Sequence, residues 1–364
     1  MRLPVRFPVV EMSGSRHAMG VQYGRQCRGL IRRLVGKFDG FLLPDELREE
    51  GLRVAQEAVR HVREAAPELL EEVEGIAEGC GLPFEDVFRL SCSQELNSWQ
   101  GCMRQKAVTT VPSGCTTVAA RRGRNSLVAW NMDWSLHWQP FLVLLHGQPH
   151  DGPAFIAVAL AGSIGRPGIS EHIAVSANFL PYRACRAVPV GQAEWAGAGV
   201  PYSFVARMLL QQKSTADALK LLERTKRMAC LNYTLGDTKG RICCVETLPA
   251  EQAVLETREG FIVHANSYHG PEFGPMSEDE QRERDPRAWR ARQVLRRRSK
   301  PLDRPDIYAA LRAHFVAQPT GTCVHAAQPR ASNTLLSFVA DLDSRELWCA
   351  CGPPCRHRYL RYGL

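Results

Sequence analysis

Pro112-Ser113-Gly114-Cys115-Thr116-Thr117, followed after one turn by Asn131-Met132-Asp133-Trp134, decides the reading of this chain. A Cys directly after a Gly, in a loop that enters a strand, is open to approach. Gly114 carries no side chain that would shield its own carbonyl. Attack of the Cys115 thiol on that carbonyl would move the acyl group to sulfur, and hydrolysis would then free Cys115 with its own α-amine. Such an amine has a reference pKa of about 7.7–8.0, so a fair fraction is neutral near pH 7 and can act as a base. Nucleophile and base then share one residue, and no catalytic His is needed. Taken alone, Gly-Cys-Thr-Thr reads first as a buried Cys at a strand start.

The next residues change that balance. Arg122-Gly123-Arg124-Asn125 is a turn between two β-type runs, Thr116–Ala120 and Leu127–Asn131. The resulting hairpin returns Asp133 to the neighbourhood of Cys115, where a carboxylate can orient the amine or the thiol. Read without that context, Asp133 is a turn or edge residue.

Upstream, residues 45–100 are helical. Leu52, Ala55, Val59 and Val62 recur at spacings of three and four. Pro67 opens a further helix with the stripe Leu69, Leu70, Val73, Ile76, which ends at Gly79-Cys80-Gly81. An earlier helix through Met19, Tyr23 and Leu30 carries Gly20 and Gly24 four apart, which predicts one face in close contact with a neighbour. Downstream, short β-type runs dominate, from Phe141–Leu145 to Thr334–Asp341 and Glu346–Cys351. Helices over Tyr202–Gln212, Ser214–Lys226, Asp285–Arg298 and Arg304–His314 interrupt them. Helix layers around antiparallel sheet fit this order.

The chain has 364 residues, 45% of them hydrophobic and 23% charged, enough for one large core or two smaller ones. A formal net charge of +8 raises nucleic-acid or membrane binding. The basic residues are scattered, however. The densest run, Arg296-Arg297-Arg298-Ser299-Lys300, closes an Arg-rich amphipathic stretch from Arg287 and reads as a solvated helix end. No nucleic-acid partner and no membrane partner is expected. Met1–Phe7 lacks the apolar core of a secretory leader, and no window reaches about 18 apolar residues. Thirteen cysteines then suggest reduced thiols and a cytoplasmic location. Cys349, Cys351, Cys355 and the pair Cys243-Cys244 lack zinc-finger spacing and read as small buried hydrophobes in strands. No metal and no cofactor is expected.

Ordered matches run along nearly the whole chain. They include Gly24-Arg25-Gln26, Glu72–Leu82, Gly114-Cys115-Thr116-Thr117, Asn131-Met132-Asp133, Gly162–Gly168, Leu231–Asp237, His264–Tyr268 and Gly352-Pro353-Pro354-Cys355. In this order the chain resembles the acyl-coenzyme A:isopenicillin N acyltransferase (penicillin acyltransferase) family, within the N-terminal-nucleophile hydrolases. The resemblance implies an α+β fold, a four-layer αββα sandwich with a helical N-terminal region. It implies an autocatalytic cut at Gly114–Cys115 that yields segments 1–114 and 115–364, which stay associated as one domain. It also implies Thr117, Asp133 and Asn232 as supports of Cys115, with Asn232 the candidate for the oxyanion hole; Asn232 also reads as a turn residue before Gly236-Asp237.

Two positions depart from the pattern. Bile-salt-hydrolase-like relatives carry an Arg where this chain has Asn131, and the usual His-Thr-Asn-His reads His264-Ala265-Asn266-Ser267. Asn266 alone is carried over, as a substrate-binding residue. Arg166 reads as a cleft arginine for a carboxylate or as a loop arginine, and Asn178 as a site residue or a strand end. The expected activity is thus that of a self-processing cysteine amidohydrolase or acyltransferase. Its substrate is a small amide or thioester, with an acyl-coenzyme A donor left open. The competing reading is a catalytically inactive, structural or binding member of the same fold.

Overall fold

Apolar residues alternate along the strands with both faces covered, and this pattern builds two stacked sheets. The computed structural model describes residues 6–41, 48–96, 114–180, 199–271, 277–315, 318–325 and 332–364. Pro112, Ser113, Met1–Val5 and the ends of the expected helical region, 45–47 and 97–100, lie outside the described residues.

In chain order, the N-terminal part holds β1 (Val9–Gly14), α1 (Arg16–Phe41), α2 (Arg48–Ala65), α3 (Pro67–Cys80) and α4 (Phe84–Ser91). Then come β2 (Cys115–Arg122), β3 (Asn125–Ser135), β4 (Leu142–Pro149), β5 (Phe155–Leu160), β6 (Gly168–Ser170) and β7 (Ile173–Phe179). Helices α5 (Tyr202–Leu210) and α6 (Thr215–Arg224) precede β8 (Leu231–Asp237), β9 (Ile242–Thr247), β10 (Gln252–Leu255) and β11 (Phe261–His264). The last part holds α7 (Glu278–Arg284), α8 (Pro286–Arg296), α9 (Arg304–Leu311), β12 (His314–Phe315), β13 (Gln318–Gly321), β14 (Ser332–Asp341), β15 (Glu346–Ala350) and β16 (Leu360–Gly363).

One sheet has the order β1-β4-β5-β6-β7-β8-β9-β10 and the other β11-β2-β3-β14-β15-β16. They face each other through β2 and β3 against β7 and β8. Side-chain alternation along β2 and β3 decides what each face meets. Ala119, Val128, Trp130 and Met132 enter the large core between the sheets. Val118, Ala120, Leu127 and Ala129 join Ala288, Leu295, Ile307 and Leu311 of α8 and α9 in a second core on the outer face. Helices α1, α5 and α6 cover the outer face of the eight-stranded sheet. The result is the α+β, four-layer αββα arrangement, with helices α1–α4 forming the N-terminal region. Short strands β6, β10, β12, β13 and β16 and helix α7 are elements the periodicity did not mark.

The paired glycines of α1 meet their partners on α3. A Cβ on Gly20 would lie 2.1 Å from the Glu72 carbonyl oxygen, and one on Gly24 2.3 Å from that of Ile76. Reciprocally, a Cβ on Gly75 would lie 2.1 Å from the His17 oxygen, and one on Gly79 2.4 Å from that of Val21. The two helices therefore touch backbone to backbone, which only glycine permits at these four positions. Beside this crossing the buried Glu72 carboxylate takes two hydrogen bonds from Arg207 of α5, at 2.9 and 3.0 Å. Arg207 also donates to the Ile164 carbonyl. The buried ion pair thereby ties α3, α5 and the 161–166 loop into one unit.

One sequence expectation is corrected here. Cys349 and Cys351 are buried, but Cys355 is exposed and lies in the turn before β16, not in a strand.

Candidate active site

Cys115 is the first residue of β2, an interior strand between β11 and β3. Its register partner is Met132. Asp133 therefore stands opposite Gly114, and its N–H donates to the Gly114 carbonyl at 2.8 Å. The Cys115 N–H donates to Asn266 Oδ1 at 2.9 Å. Both polar ends of the Gly114–Cys115 peptide are thus held, the oxygen by β3 and the nitrogen by the loop after β11.

Arg287, near the start of α8, completes the arrangement. Its Nη1 donates to Asp133 Oδ2 at 3.1 Å and its Nη2 to Asn266 Oδ1 at 2.6 Å. Thr334 Oγ1 donates to the other Asp133 oxygen at 2.6 Å, and Asn266 Nδ2 donates to the Phe179 carbonyl at 2.6 Å. The Asp133 carboxylate is thus linked to the Cys115 nitrogen through one planar guanidinium and one amide. The sequence named Asp133 as a support of Cys115 and Asn266 as a substrate-binding residue, and the structure brings both to this peptide. No sequence signal pointed to Arg287, which opens the Arg-rich amphipathic stretch ahead of the run read as a solvated helix end. Asn131, where relatives were expected to carry an Arg, donates to the Leu311 and Thr322 carbonyls and braces α9.

Burial dominates the electrostatics. It raises the Asp133 carboxyl to about 6, against the opposing pull of Arg287 and the Thr334 hydroxyl. Burial and then the Asp133 charge push the Cys115 thiol up to about 12, with Arg287 and the Asp133 N–H working the other way. In the uncut chain the thiol is protonated at neutral pH and its own nitrogen is an amide, not a base.

The remaining expected residues line the space between the sheets. Thr117 shares the Cys115 face of β2, and its Oγ1 lies 2.7 Å from Thr234 Oγ1. Asn178 and Asn232 are paired across β7 and β8. Asn178 Nδ2 donates to Thr117 Oγ1 at 3.2 Å, and Asn232 Nδ2 to Thr234 Oγ1 at 3.0 Å. Among the described residues, the carbonyl oxygens of both amides are buried without a hydrogen-bond partner. His264 is also buried, with Nε2 2.7 Å from Glu246. Polar groups this deep between two sheets, with acceptors left open, mark the space beside Cys115 as more than a packing interface.

The family model of acyl-coenzyme A:6-aminopenicillanic acid acyl-transferase matches residues 121–355. The chain belongs to that family. The family is described by an acyl transfer, and together with the hydrolase relative this indicates an enzyme of the amidase or acyltransferase type. The match begins past Gly114 and Cys115. The beta-alanyl-dopamine/carcinine hydrolase of Drosophila melanogaster is 22% identical over 297 residues, 75% of this chain and 74% of that protein. Among solved structures, a Caenorhabditis elegans N-acylethanolamine-hydrolyzing acid amidase ortholog superposes with a TM-score of 0.44 at 15% identity, over 63% of this chain and 93% of its own. A mutant conjugated bile acid hydrolase from Clostridium perfringens gives 0.45 at 9% identity, over 69% and 97%.

This acyl-transferase family member also places a buried arginine beside the thiol. The Arg166 guanidinium lies over the rings of Trp134 at 5.3 Å and Tyr202 at 5.9 Å. Its Nη2 reaches Ser93 Oγ at 3.4 Å, while among the described residues its Nε is buried without a partner. Glu95 faces the same space. Burial raises its carboxyl to about 7, partly offset by the Tyr202 N–H and by Arg166. Burial lowers the Arg166 pKa from the ordinary arginine value, against the pull of Tyr202, Glu95 and Cys115. Ser93, Glu95 and Tyr202 were not singled out in the sequence, because they come from α-helical segments far from residue 166.

Proposed function

We propose that this family member is a self-processing cysteine amidohydrolase or acyltransferase whose nucleophile is Cys115. The observation that supports this best is the clamp on the Gly114–Cys115 peptide, with the carbonyl oxygen on the Asp133 N–H and the nitrogen on Asn266. In the cut, Cys115 Sγ adds to the Gly114 carbonyl carbon and its proton goes to the departing nitrogen. The Asp133 N–H stabilises the oxygen as it gains charge. The C–N bond breaks, and water hydrolyses the thioester to a Gly114 carboxylate and a free Cys115. The new α-amine is the base that the intact chain lacks. Arg287 sits where its fixed charge favours the neutral form of that amine.

In turnover, the amine takes the thiol proton as Sγ attacks the substrate carbonyl and returns it to the leaving amine. The thioester then passes to water, or to an amine acceptor. Asn232 serves the oxyanion. A half-turn of its amide lets Oδ1 accept from the Thr234 hydroxyl and frees Nδ2 for the substrate oxygen. Thr117 positions Thr234 and Asn178, and Asn178 lines the substrate space. Asn266 is assigned to the Cys115 nitrogen before it is assigned to substrate.

Arg166, flanked by Trp134 and Tyr202, takes a carboxylate or another acceptor on the substrate. The resemblance to the beta-alanyl-dopamine/carcinine hydrolase puts small β-alanyl amides first among substrates to test, with N-acyl amino acids, β-lactam precursors and acyl-coenzyme A donors beside them. Segments 1–114 and 115–364 stay together after the cut, because α1 and α3 share the main core with β4 and β5. We assign the protein to the cytoplasm, since its described cysteines are all free thiols. Among the described residues no helix is long and apolar enough to cross a membrane.

Intact mass and a denaturing gel test the proposal. Fragments 1–114 and 115–364 are expected from the wild type, and Cys115→Ala should stay whole. Acyl mass should appear on the C-terminal fragment after exposure to a substrate. A wild-type chain that stays single and takes no thiol-reactive acyl analogue overturns it in favour of an inactive member of the fold.

A further inference from the structure

Away from Cys115, three separated segments bring four soft donors to one point. His314 belongs to β12, Cys323 and His325 follow β13, and Cys355 lies in the turn before β16. Their donor atoms all fall within 4.8 Å of one another. The two sulfurs are 3.8 Å apart. His325 Nε2 is 3.1 Å from Cys355 Sγ, 3.5 Å from Cys323 Sγ and 3.0 Å from His314 Nε2.

Hydrogen bonding cannot satisfy this group. A neutral imidazole Nε2 offers either one proton or one lone pair, yet His325 Nε2 faces three heavy atoms. A shared cation satisfies all four at once. Tetrahedral zinc has bonds of about 2.3 Å to sulfur and about 2.0–2.1 Å to nitrogen. That places sulfurs about 3.8 Å apart, sulfur and nitrogen about 3.6 Å, and nitrogens about 3.4 Å. Four of the six donor pairs, at 3.0–3.8 Å, lie near this pattern and are contracted on the nitrogen side, and all six lie within 4.8 Å. Three of the four residues are buried or half-buried, and Cys355 is exposed and gives access.

We propose that His314, Cys323, His325 and Cys355 bind one zinc ion in a closed, four-ligand structural site. On binding, the two thiols lose their protons to solvent and both imidazoles coordinate through Nε2. The ion fastens the C-terminal turn to the segment ahead of β14. That segment leads to the active site. Val324, between two of the ligands, donates its N–H to Thr334 Oγ1 at 2.9 Å and accepts from the Thr334 N–H at 3.1 Å. Thr334 in turn holds Asp133. Zinc therefore positions Asp133 through Val324 and Thr334 and takes no part in the chemistry.

Metal content of the full-length protein, purified under reducing conditions without chelator, tests this independently of any activity. About one zinc per chain is expected. Cobalt uptake by the stripped protein should give thiolate-to-cobalt charge-transfer absorption and tetrahedral d–d bands. Cys323→Ser, Cys355→Ser and His325→Ala should each lose most of the metal, while Cys27→Ser, a cysteine in α1, should keep it. Stripping the ion should lower the melting temperature by several degrees. A wild-type protein that holds no zinc and takes up neither zinc nor cobalt when reduced overturns the proposal. So does cobalt bound without the charge-transfer bands, or a Cys323–Cys355 disulfide in freshly isolated protein. The wild-type measurements decide the matter even if the variants fail to fold.

Discussion

The Arg287 guanidinium occupies the space where a side chain at Gly114 would stand: a Cβ there would lie 1.4 Å from Nη1. Glycine before Cys115 therefore leaves room for the arginine above it as well as access to its own carbonyl. Gly114→Ala should push Arg287 off Asp133 and Asn266 and release the peptide nitrogen. A displacement of about 1 Å can cost about 10²-fold in rate, so processing should slow by that order, read as the uncut fraction over time. Cutting at the wild-type rate would show that the clamp is not what drives the reaction.

Asp133 gives the site a pH signature. Its carboxyl titrates at about 6 against an ordinary 3.8, so the folded state holds the proton more tightly than the unfolded one. The stability this confers is complete below pH 3.8 and is lost as the pH rises through 6. The shift corresponds to about 3 kcal/mol. Relative to Asp133→Asn, the wild type should gain up to that amount between pH 7 and pH 4 in denaturant titrations. Processing needs the ionised carboxylate to hold Arg287, so its rate should rise through about pH 6, and the Asn variant should process slowly at every pH. Arg287→Ala removes the cation that opposes the shift, and the midpoint should move higher.

The cut and turnover use different oxyanion donors in this scheme. The Asp133 N–H serves the Gly114 carbonyl, whereas Asn232 serves the substrate. Asn232→Ala should lower kcat by about 10²–10³ and leave the yield of fragments nearly unchanged. Parallel loss of both activities would place Asn232 in the maturation step too.

Glu72 and Arg207 pair in the core behind the 161–166 loop, with Arg16 Nη1 3.7 Å from the same carboxylate. Removing Glu72 leaves the Arg207 charge uncompensated in the core, at a cost of about 3–5 kcal/mol. Glu72→Ala should show that loss in chemical denaturation. Arg207→Ala should also loosen the loop that carries Arg166, and a raised KM should accompany its lower stability.

Much of the scaffold was legible in the chain because it is local. The 115–133 hairpin needed only alternation and a Gly turn, and Gly20 and Gly24 announced a close crossing by their spacing. The candidate site was legible only in part. Arg287 and Thr334 reach Asp133 by the docking of α8 and the pairing of β14 with β3, contacts between residues more than 150 positions apart. Nothing in an Arg-rich helix marks one arginine as the one that turns inward. Cys355 was grouped with Cys349 and Cys351, its neighbours in sequence, whereas the fold sets it beside His314, Cys323 and His325. Spacing rules see donors on one element and miss donors gathered from three.

The position of β2 inside its sheet bears on what a cut at Gly114 would leave behind. Ends of polypeptides usually fray. Here the new end would open β2, an interior strand that pairs with β3 from its first residue and with β11 from Thr117, and its nitrogen would sit against Asn266, so the youngest terminus of the molecule would be held rather than loose. Maturation would then be a one-way commitment. The folded shape that aligns the bond for scission is assembled from a continuous chain, and two separated pieces would have to find each other across the shared core to rebuild it. Denaturing a mature molecule and removing the denaturant should therefore restore far less activity than the same treatment of an unprocessed precursor.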